Sequence, residues 1–289
     1  MSGGGAEPAG EAVRTLLAEG TLTVRGRIRD ASNAVLYGVV ERGGESLPCV
    51  YKPVRGERPL WDFPDGNLAM REVAAYEVSR ATGWDLIPAT VLRDGPYGEG
   101  MCQVWVGPLP DAESEDGQDG ESEDGQDEEE PLLALVEAEE PGEGWKAVGF
   151  ADVGGGRTAL LVHADDARLR RLAVLDAVLN NGDRKGGHLL RPSGGRLWAI
   201  DHGVSFHVDD KLRTLLWGWA GDALTPEAVE VLRGLSGVLA EGAPLATRLA
   251  ELLTGPEVDA VRKRTEAMLS SGRHPLPSGD WPAIPWPPV

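Results

Sequence analysis

From Gly107 to Gly144 the chain carries 16 Asp or Glu and no Lys or Arg, and within this stretch ESEDGQD at 113–119 recurs at 121–127. A segment so charged repels itself and offers too little apolar surface to offset the entropy of ordering it. Residues 107–144 are therefore expected to form an acidic disordered insert, most strongly from 107 to 130. Long surface insertions cost little in loop closure, so the remaining 251 residues are expected to fold as one body interrupted once. Without the insert the formal charge of −19 becomes −3. The acidity is local, yet it disfavours general binding to nucleic acid or to an anionic lipid surface.

No apolar run approaches the roughly 20 residues that span a bilayer, so no transmembrane segment is expected. The opening MSGGGAEPAG lacks the basic start and apolar stretch of a secretory leader. A cytoplasmic location follows as the expectation, with residues 1–10 disordered. Cys49 and Cys102 sit singly in apolar runs and read as buried thiols. Residues 275–289, with six prolines and two tryptophans, read as a docked extended tail rather than a helix.

Between these segments the hydrophobic pattern changes once. TLTVRGRI, AVLYGVVE and LPCVYKPV, separated by the polar turn RDASN and a GG turn, read as three consecutive antiparallel strands. NLAMREVAAYEVSRAT, residues 67–82, reads as a helix with Asn67 as N-cap and Gly83 past its end. Strands are expected at 87–92 and 101–106, and a short strand pair within 145–162. A second helix is expected over 165–180 and ends in the polar turn NNGDRKGGH. LLRP and RLWAID then read as a hairpin, followed by helical segments near 211–218, 226–235, 244–253 and 256–270. Trp217 and Trp219 are expected to pack this second, helix-rich part. The order is a strand-rich first part and a helical second part, an α+β arrangement.

Lysine is scarce, five residues against 23 arginines, yet Lys52 lies in the middle of the apolar strand CVYKPV. An inward-facing strand lysine needs an anionic partner, because burying an unpaired ammonium is too costly. The alternative is a stem lying on the sheet with its head in water. Glu72, on the following helix, is the nearest candidate partner, while Glu77 five residues on points to a different face. A second polar cluster holds Asn180, Asn181, Asp183, Arg184, Lys185 and His188 in one turn, with Asp201 and His202 beyond the hairpin. Carboxylates at the two ends of a hairpin can converge. Asp183, His188 and Asp201 would then supply a base and metal ligands, since Mg²⁺ takes one or two carboxylates together with phosphate oxygens and waters. Asn, Gly and Asp are also favoured in turns for backbone reasons alone.

The stretches VYKP, REVAAYEVSRATGWDLIPATV, LDAVLNNGDRKGGH and AIDHG, in that order, resemble the lipid-kinase branch of the kinase-like fold. That branch includes the type II phosphatidylinositol 4-kinases and the HipA-like bacterial kinases. The resemblance implies a bilobal protein-kinase-like fold, with an antiparallel-sheet N-lobe over 11–106 and a mostly helical C-lobe over 145–274. It implies that Lys52 contacts the nucleotide phosphates and pairs with Glu72. The turn Asp30–Ala34 would cover the phosphates through Ser32 and Asn33, and adenine would lie near Gln103, Val104, Trp105 and Val106. Asp183 becomes the catalytic-loop aspartate with Arg184 and Lys185 beside it, and Asp201 the main metal ligand. Where the family reads Asp-Arg-His-x-x-Asn, this chain has Lys185 in place of the His and His188 at the metal-binding Asn. An imidazole is a softer ligand than an amide oxygen and shifts preference toward Mn²⁺ or Zn²⁺. No glycine occurs between Arg27 and Tyr37, so the phosphate turn would rely on Ser32 and Asn33.

The function this implies is ATP-dependent phosphoryl transfer with Mg²⁺ or Mn²⁺ to a hydroxyl on a lipid, protein or small molecule. One alternative is a nucleotide-binding pseudokinase or adaptor that recruits a basic protein partner through the acidic insert. Another is a metallohydrolase built on His188, Asp201, His202 and His207, which is disfavoured because adjacent strand residues point to opposite faces. The kinase reading requires Lys52, Glu72, Asp183 and Asp201 to meet at one cleft.

Overall fold

The computed structural model describes residues 7–28, 33–58, 60–63, 65–109, 131–192 and 195–286. Helix α1 (Glu7–Glu19) leads into strands β1 (Thr21–Arg27), β2 (Leu36–Arg42) and β3 (Glu45–Pro53). Helix α2 (Leu68–Thr82) follows, then β4 (Thr90–Gly95) and β5 (Gly98–Val104). The five strands form one antiparallel sheet in the order β1-β2-β3-β5-β4. Alternation along β3 decides what faces where. Cys49 and Tyr51 enter a small core with Leu16 and Leu17 of α1 and Cys102 of β5, and Lys52, opposite Met101, therefore faces the other side of the sheet.

Helix α2 lies against that other side, and its ends are well specified. Asn67 Oδ1 accepts from Met70 N at 2.8 Å, and Glu57 accepts from Leu68 N and Ala69 N, each at 2.8 Å. Three of the amide donors at the start of the helix thus find side-chain acceptors. At the other end Gly83, at φ 70°, occupies the left-handed position that closes a helix.

After the acidic repeat come β6 (Leu133–Val136), β7 (Trp145–Gly154) and β8 (Arg157–Ala164), ordered β6-β8-β7 and antiparallel. Helix α3 (Ala167–Leu179) starts at Asp166, whose side chain accepts from two backbone amides, and ends at Asn180 with φ 55°. A short hairpin of β9 (Leu189–Leu190) and β10 (Trp198–Ala199) follows. Helices α4 (Pro226–Val238), α5 (Pro244–Ala250) and α6 (Gly255–Ser271) complete the second lobe. A single apolar core runs from Ala69, Val73 and Val78 of α2 through Leu172 and Leu175 of α3 to Leu232, Leu249 and Val261. The two lobes therefore share buried surface along α2. The expected α+β fold, an antiparallel sheet followed by helices, is the observed one.

Several local expectations need correction. Residues 7–19 form a helix, although 1–10 reads as disordered, because Val13, Leu16 and Leu17 pack on the sheet. Leu133–Val136, inside the stretch expected to be disordered, pairs with β8. Residues 211–218 are not helical: Arg213 N donates to Asn181 O, Arg184 and Thr214 form an isolated parallel bridge, and only a single turn, Trp217–Trp219, coils. The acidic repeat, 113–127, and the disorder expected of it lie wholly outside the described residues. The tail is held where Ala283 O accepts from Thr214 N at 3.0 Å and from Trp217 Nε1 at 2.8 Å. Cys49 and Cys102 are buried and free.

Because Asn67 caps the helix that spans both lobes, Asn67→Ala is expected to lower unfolding free energy by about 1 kcal/mol. Urea unfolding of the two proteins measures this, and an unchanged midpoint contradicts it.

Candidate active site

The lysine of β3 reaches two acids, one 20 and the other 149 residues further along the chain. Lys52 Nζ lies 2.7 Å from Glu72 Oε1 and 3.0 Å from Asp201 Oδ1. Glu72, 2% exposed, sits on the buried face of α2, and its second oxygen accepts from His202 N at 2.9 Å. One carboxylate thus ties the N-lobe strand to the backbone just beyond β10. Asp201 itself is at φ 61°, a left-handed conformation that a residue with a side chain adopts only when its surroundings fix it. Its other oxygen lies 3.4 Å from His188 Nε2.

The charges explain one another. Burial alone would lower the Lys52 ammonium, but Asp201 and then Glu72 outweigh it and hold the group above its ordinary value. Burial raises the Glu72 carboxyl, Asp201 adds in the same sense, and Lys52 opposes both. Lys52 holds the Asp201 carboxyl well below the usual range against the cost of burial, with help from His188. Asp201 remains half exposed, at 49%, so its charge faces the solvent side of the cleft.

Beneath this lies a second, fully buried pair. Arg184 Nε and Nη2 fork onto Asp176 Oδ2 and Oδ1 at 2.9 and 3.0 Å, and Nη1 donates to Ile200 O at 2.9 Å. Neither side chain of the pair is exposed. Asn181 donates to Asp176 Oδ1 and accepts from Asp183 N, both at 3.0 Å, which fixes the turn that presents Asp183. His202 joins the two layers. Its Nε2 lies 2.6 Å from Arg184 Nη2 and its Nδ1 lies 4.0 Å from Glu72 Oε2. Burial and then the neighbouring Arg184 push this imidazole well below its ordinary value. A neutral ring that accepts at Nε2 carries its proton on Nδ1, toward Glu72.

Lys52, Glu72, His188 and Asp201 therefore meet. Asp183 and Lys185 stand on the adjoining turn, with Lys185 Nζ 3.2 Å from Asp183 Oδ2, and Gly182 N bonded to Val204 O at 2.7 Å holds that turn against the segment after Asp201. Other expected residues sit differently. Arg184, expected among the catalytic groups, has its fork closed on Asp176 and Ile200 inside the core and cannot reach a substrate. Gln103 is buried with its amide on Thr90 Oγ1 at 2.8 Å. Val104 N and Trp105 N are bonded to Ala89 O and Pro48 O, each at 3.0 Å. Asn33 Oδ1 accepts from Arg58 N at 2.9 Å, and Ser32 lies outside the described residues. Asp176, Asn181 and His202 were not foreseen in these roles. The signal for Asp176 was a lone acid in the apolar helix run LAVLDAVL, which implies a buried cationic partner.

Among the described residues no three His, Cys, Asp or Glu side chains gather as a metal site of their own. His202 is enclosed and His207 Nδ1 accepts from Asp209 N, so a four-ligand hydrolytic centre is not formed. Asp201 Oδ2 and His188 Nε2 instead offer one oxygen and one nitrogen within reach of a common ion. Such a pair suits a divalent cation whose remaining positions are filled by phosphate oxygens and water.

A relative in sequence is Protein Rv2133c of Mycobacterium tuberculosis, 47% identical over 275 residues that cover 94% of each chain. This chain belongs to the Rv2133c family. No family model matches it. Two solved structures share the fold of this Rv2133c-family chain. The Golgi casein kinase with Mn and ADP bound matches with a TM-score of 0.52 and 13% identity, over 92% of this chain and 76% of that one. Hydra Fam20 with sugar matches with a TM-score of 0.52 and 12% identity, over 92% of this chain and 89% of that one. Both show an atypical kinase-like fold; neither carries the finer lipid-kinase assignment. Among the described residues no helix is long and apolar enough to cross a membrane.

His163, His188, His202 and His274 are all held below the ordinary histidine range, chiefly by burial, and His274 falls to about 4. Between the folded and unfolded values the unfolded chain binds more protons, so this contribution is whole above the unfolded value of about 6.5 and is lost as pH falls below it. Asp201, depressed in the same sense, adds a further loss below the ordinary aspartate range of about 3.9. Urea midpoints are expected to fall steadily from pH about 6.5 to about 4, and a level profile across that window would contradict the burial of neutral imidazoles.

Proposed function

We propose that the chain is an ATP-dependent phosphotransferase that moves the terminal phosphoryl group to a hydroxyl acceptor. The observation that supports this most is the position of Lys52, 2.7 Å from Glu72 Oε1 and 3.0 Å from Asp201 Oδ1. An ammonium has three donors. Two are engaged, and the third is left for a phosphate oxygen, with the lysine held in place by a glutamate that cannot itself leave the core.

Phosphoryl transfer asks a protein mainly for positioning and for neutralisation of charge. In this reading Asp183 orients the acceptor hydroxyl and takes its proton as the oxygen attacks. Lys185, beside it, places positive charge near the phosphoryl group in transit. Asp201 and His188 would hold Mg²⁺ or Mn²⁺, which supplies charge neutralisation at the phosphates when bound. The Golgi casein kinase of similar fold holds Mn and ADP, which supports the same class of ligand here. Adenine is assigned to Val104, Trp105 and Val106 at the end of β5, with Gln103 serving as a buried support. The motif order VYKP, LDAVLNNGDRKGGH and AIDHG supports a phosphatidylinositol-kinase-like type within this fold.

Asp183→Ala is expected to lower ATP turnover by about 10²-fold to 10⁴-fold, the range for loss of a positioned base. The measurement is ADP release with Mg²⁺ or Mn²⁺, made beside an unfolding curve that should not move. Turnover equal to that of the unaltered chain removes Asp183 from the mechanism.

A further inference from the structure

Strand β1 is an outer strand of the five-stranded sheet, and its end is basic: Arg25, Gly26 and Arg27 are all exposed. The adjoining backbone continues this surface. Gly26 and Arg27 pair with Tyr37 and Leu36 of β2, Ala34 N donates to Gly56 O, and Arg58 N donates to Asn33 Oδ1. Arg55 and Arg58, on either side of Gly56, are exposed as well. None of these four guanidinium groups forms an ion pair among the described residues. Two acids lie nearby. Glu57 spends both oxygens on the amides of Leu68 and Ala69, and Glu99 is next to Gly100, the partner of Pro53. Counting both acids against the four arginines leaves an excess of two positive charges on a surface open to water.

The chain runs into its acidic stretch beside this edge. Trp105, the first residue past β5, packs edge-on against Tyr37 with ring centres 5.2 Å apart, and its Nε1 donates to Pro108 O at 2.9 Å. Tyr37 is the residue paired with Gly26, between Arg25 and Arg27. Residues 111–130 follow at once, with 12 Asp or Glu and no Lys or Arg. Twenty residues span up to about 70 Å when extended, enough to visit the arginines and return to β6. A short tether sets the effective concentration of such a segment on the order of millimolar. A run of acids repels itself, and so does a cluster of arginines, so contact between the two relieves both.

We propose that residues 111–130 dock on the arginine edge of their own chain, formed by Arg25, Arg27, Arg55 and Arg58, and so withhold it from other polyanions. The inference rests on charge and on the path of the chain, and it does not depend on the phosphotransferase reading.

The test is zero-length crosslinking with a carbodiimide, which joins a carboxylate to a neighbouring amine but not to a guanidinium. Arg27→Lys and Arg58→Lys, made together in the full chain, keep the charge and supply the amines. Peptide mapping of the monomer is expected to find links from positions 27 and 58 to acids within 111–130, about tenfold more than from the exposed Lys263 of α6. These links should disappear in ~1 M salt, where the Debye length falls to about 3 Å. With the 12 acids of 111–130 changed to Asn and Gln, the chain should be retained on heparin at low salt, and adding Ala at the four arginines should abolish retention. The proposal is overturned if positions 27 and 58 give no links, if they link no more than Lys263, if the links survive 1 M salt or join only separate chains, or if neutralising the acids leaves heparin retention unchanged.

Discussion

The arrangement depends on one buried carboxylate. Glu72 accepts Lys52 Nζ with one oxygen and His202 N with the other, at 2.7 and 2.9 Å. A carboxylate removed from water is tolerable only when its lone pairs are satisfied by a cation and by donors of good geometry. Both conditions are met by groups that lie far from α2 in sequence. The helix can therefore stay buried only while β3 lies on one side of it and the residues after β10 on the other. Asp201 completes the triangle from the exposed side, so that the ammonium is shared between an acid fixed in the core and an acid open to the cleft.

A second buried ion pair supports the first from below. Arg184 and Asp176 are both without exposure, and removing either would leave an uncompensated charge in the interior, which costs far more than the pair contributes. Arg184 also holds Ile200 O, one residue before Asp201. His202 couples the layers because it is neutral: a protonated ring would place a cation against Arg184 Nη2 at 2.6 Å. The left-handed backbone at Asp201 follows from this. Residues 200 and 202 are pinned on either side by Arg184 and Glu72, and the residue between them adopts the conformation the two anchors allow.

Much of this was legible because local and global signals agree. Asn67, the apolar spacing after it and Gly83 delimit α2 in the sequence and in the fold. Lys52 stood out as a lysine in an apolar strand, and Glu72 rather than Glu77 was the partner because five residues along a helix rotate a side chain onto another face. What was hidden has physical reasons. The first helix opens on proline, alanine and glycine at 8–10, and its apolar contact comes only at Val13, Leu16 and Leu17. The strand Leu133–Val136 is flanked by acids, and its pairing with β8 is a tertiary fact. LRTLLWGW at 212–219 has helix-compatible spacing, but its backbone bonds go to Asn181 and to Ala283 of the tail instead. Arg184 in a polar turn gives no local hint of facing inward. The lone acid Asp176 was the missing half of that inference.

Helix α2 is thus more than the bearer of Glu72. Arg71, beside it and equally buried, donates to Ser205 O at 2.7 Å and meets Glu257 of α6 at 2.5 Å. Glu77 meets Arg14 of α1 and Arg248 of α5. The same four turns therefore touch the first helix, the sheet, the segment after Asp201 and the helices of the second lobe. A close-packed rod of this kind cannot shift one face without shifting the others. The position of Lys52 relative to Asp201 is accordingly set by contacts along the whole of α2, including those on the face that bears the arginines.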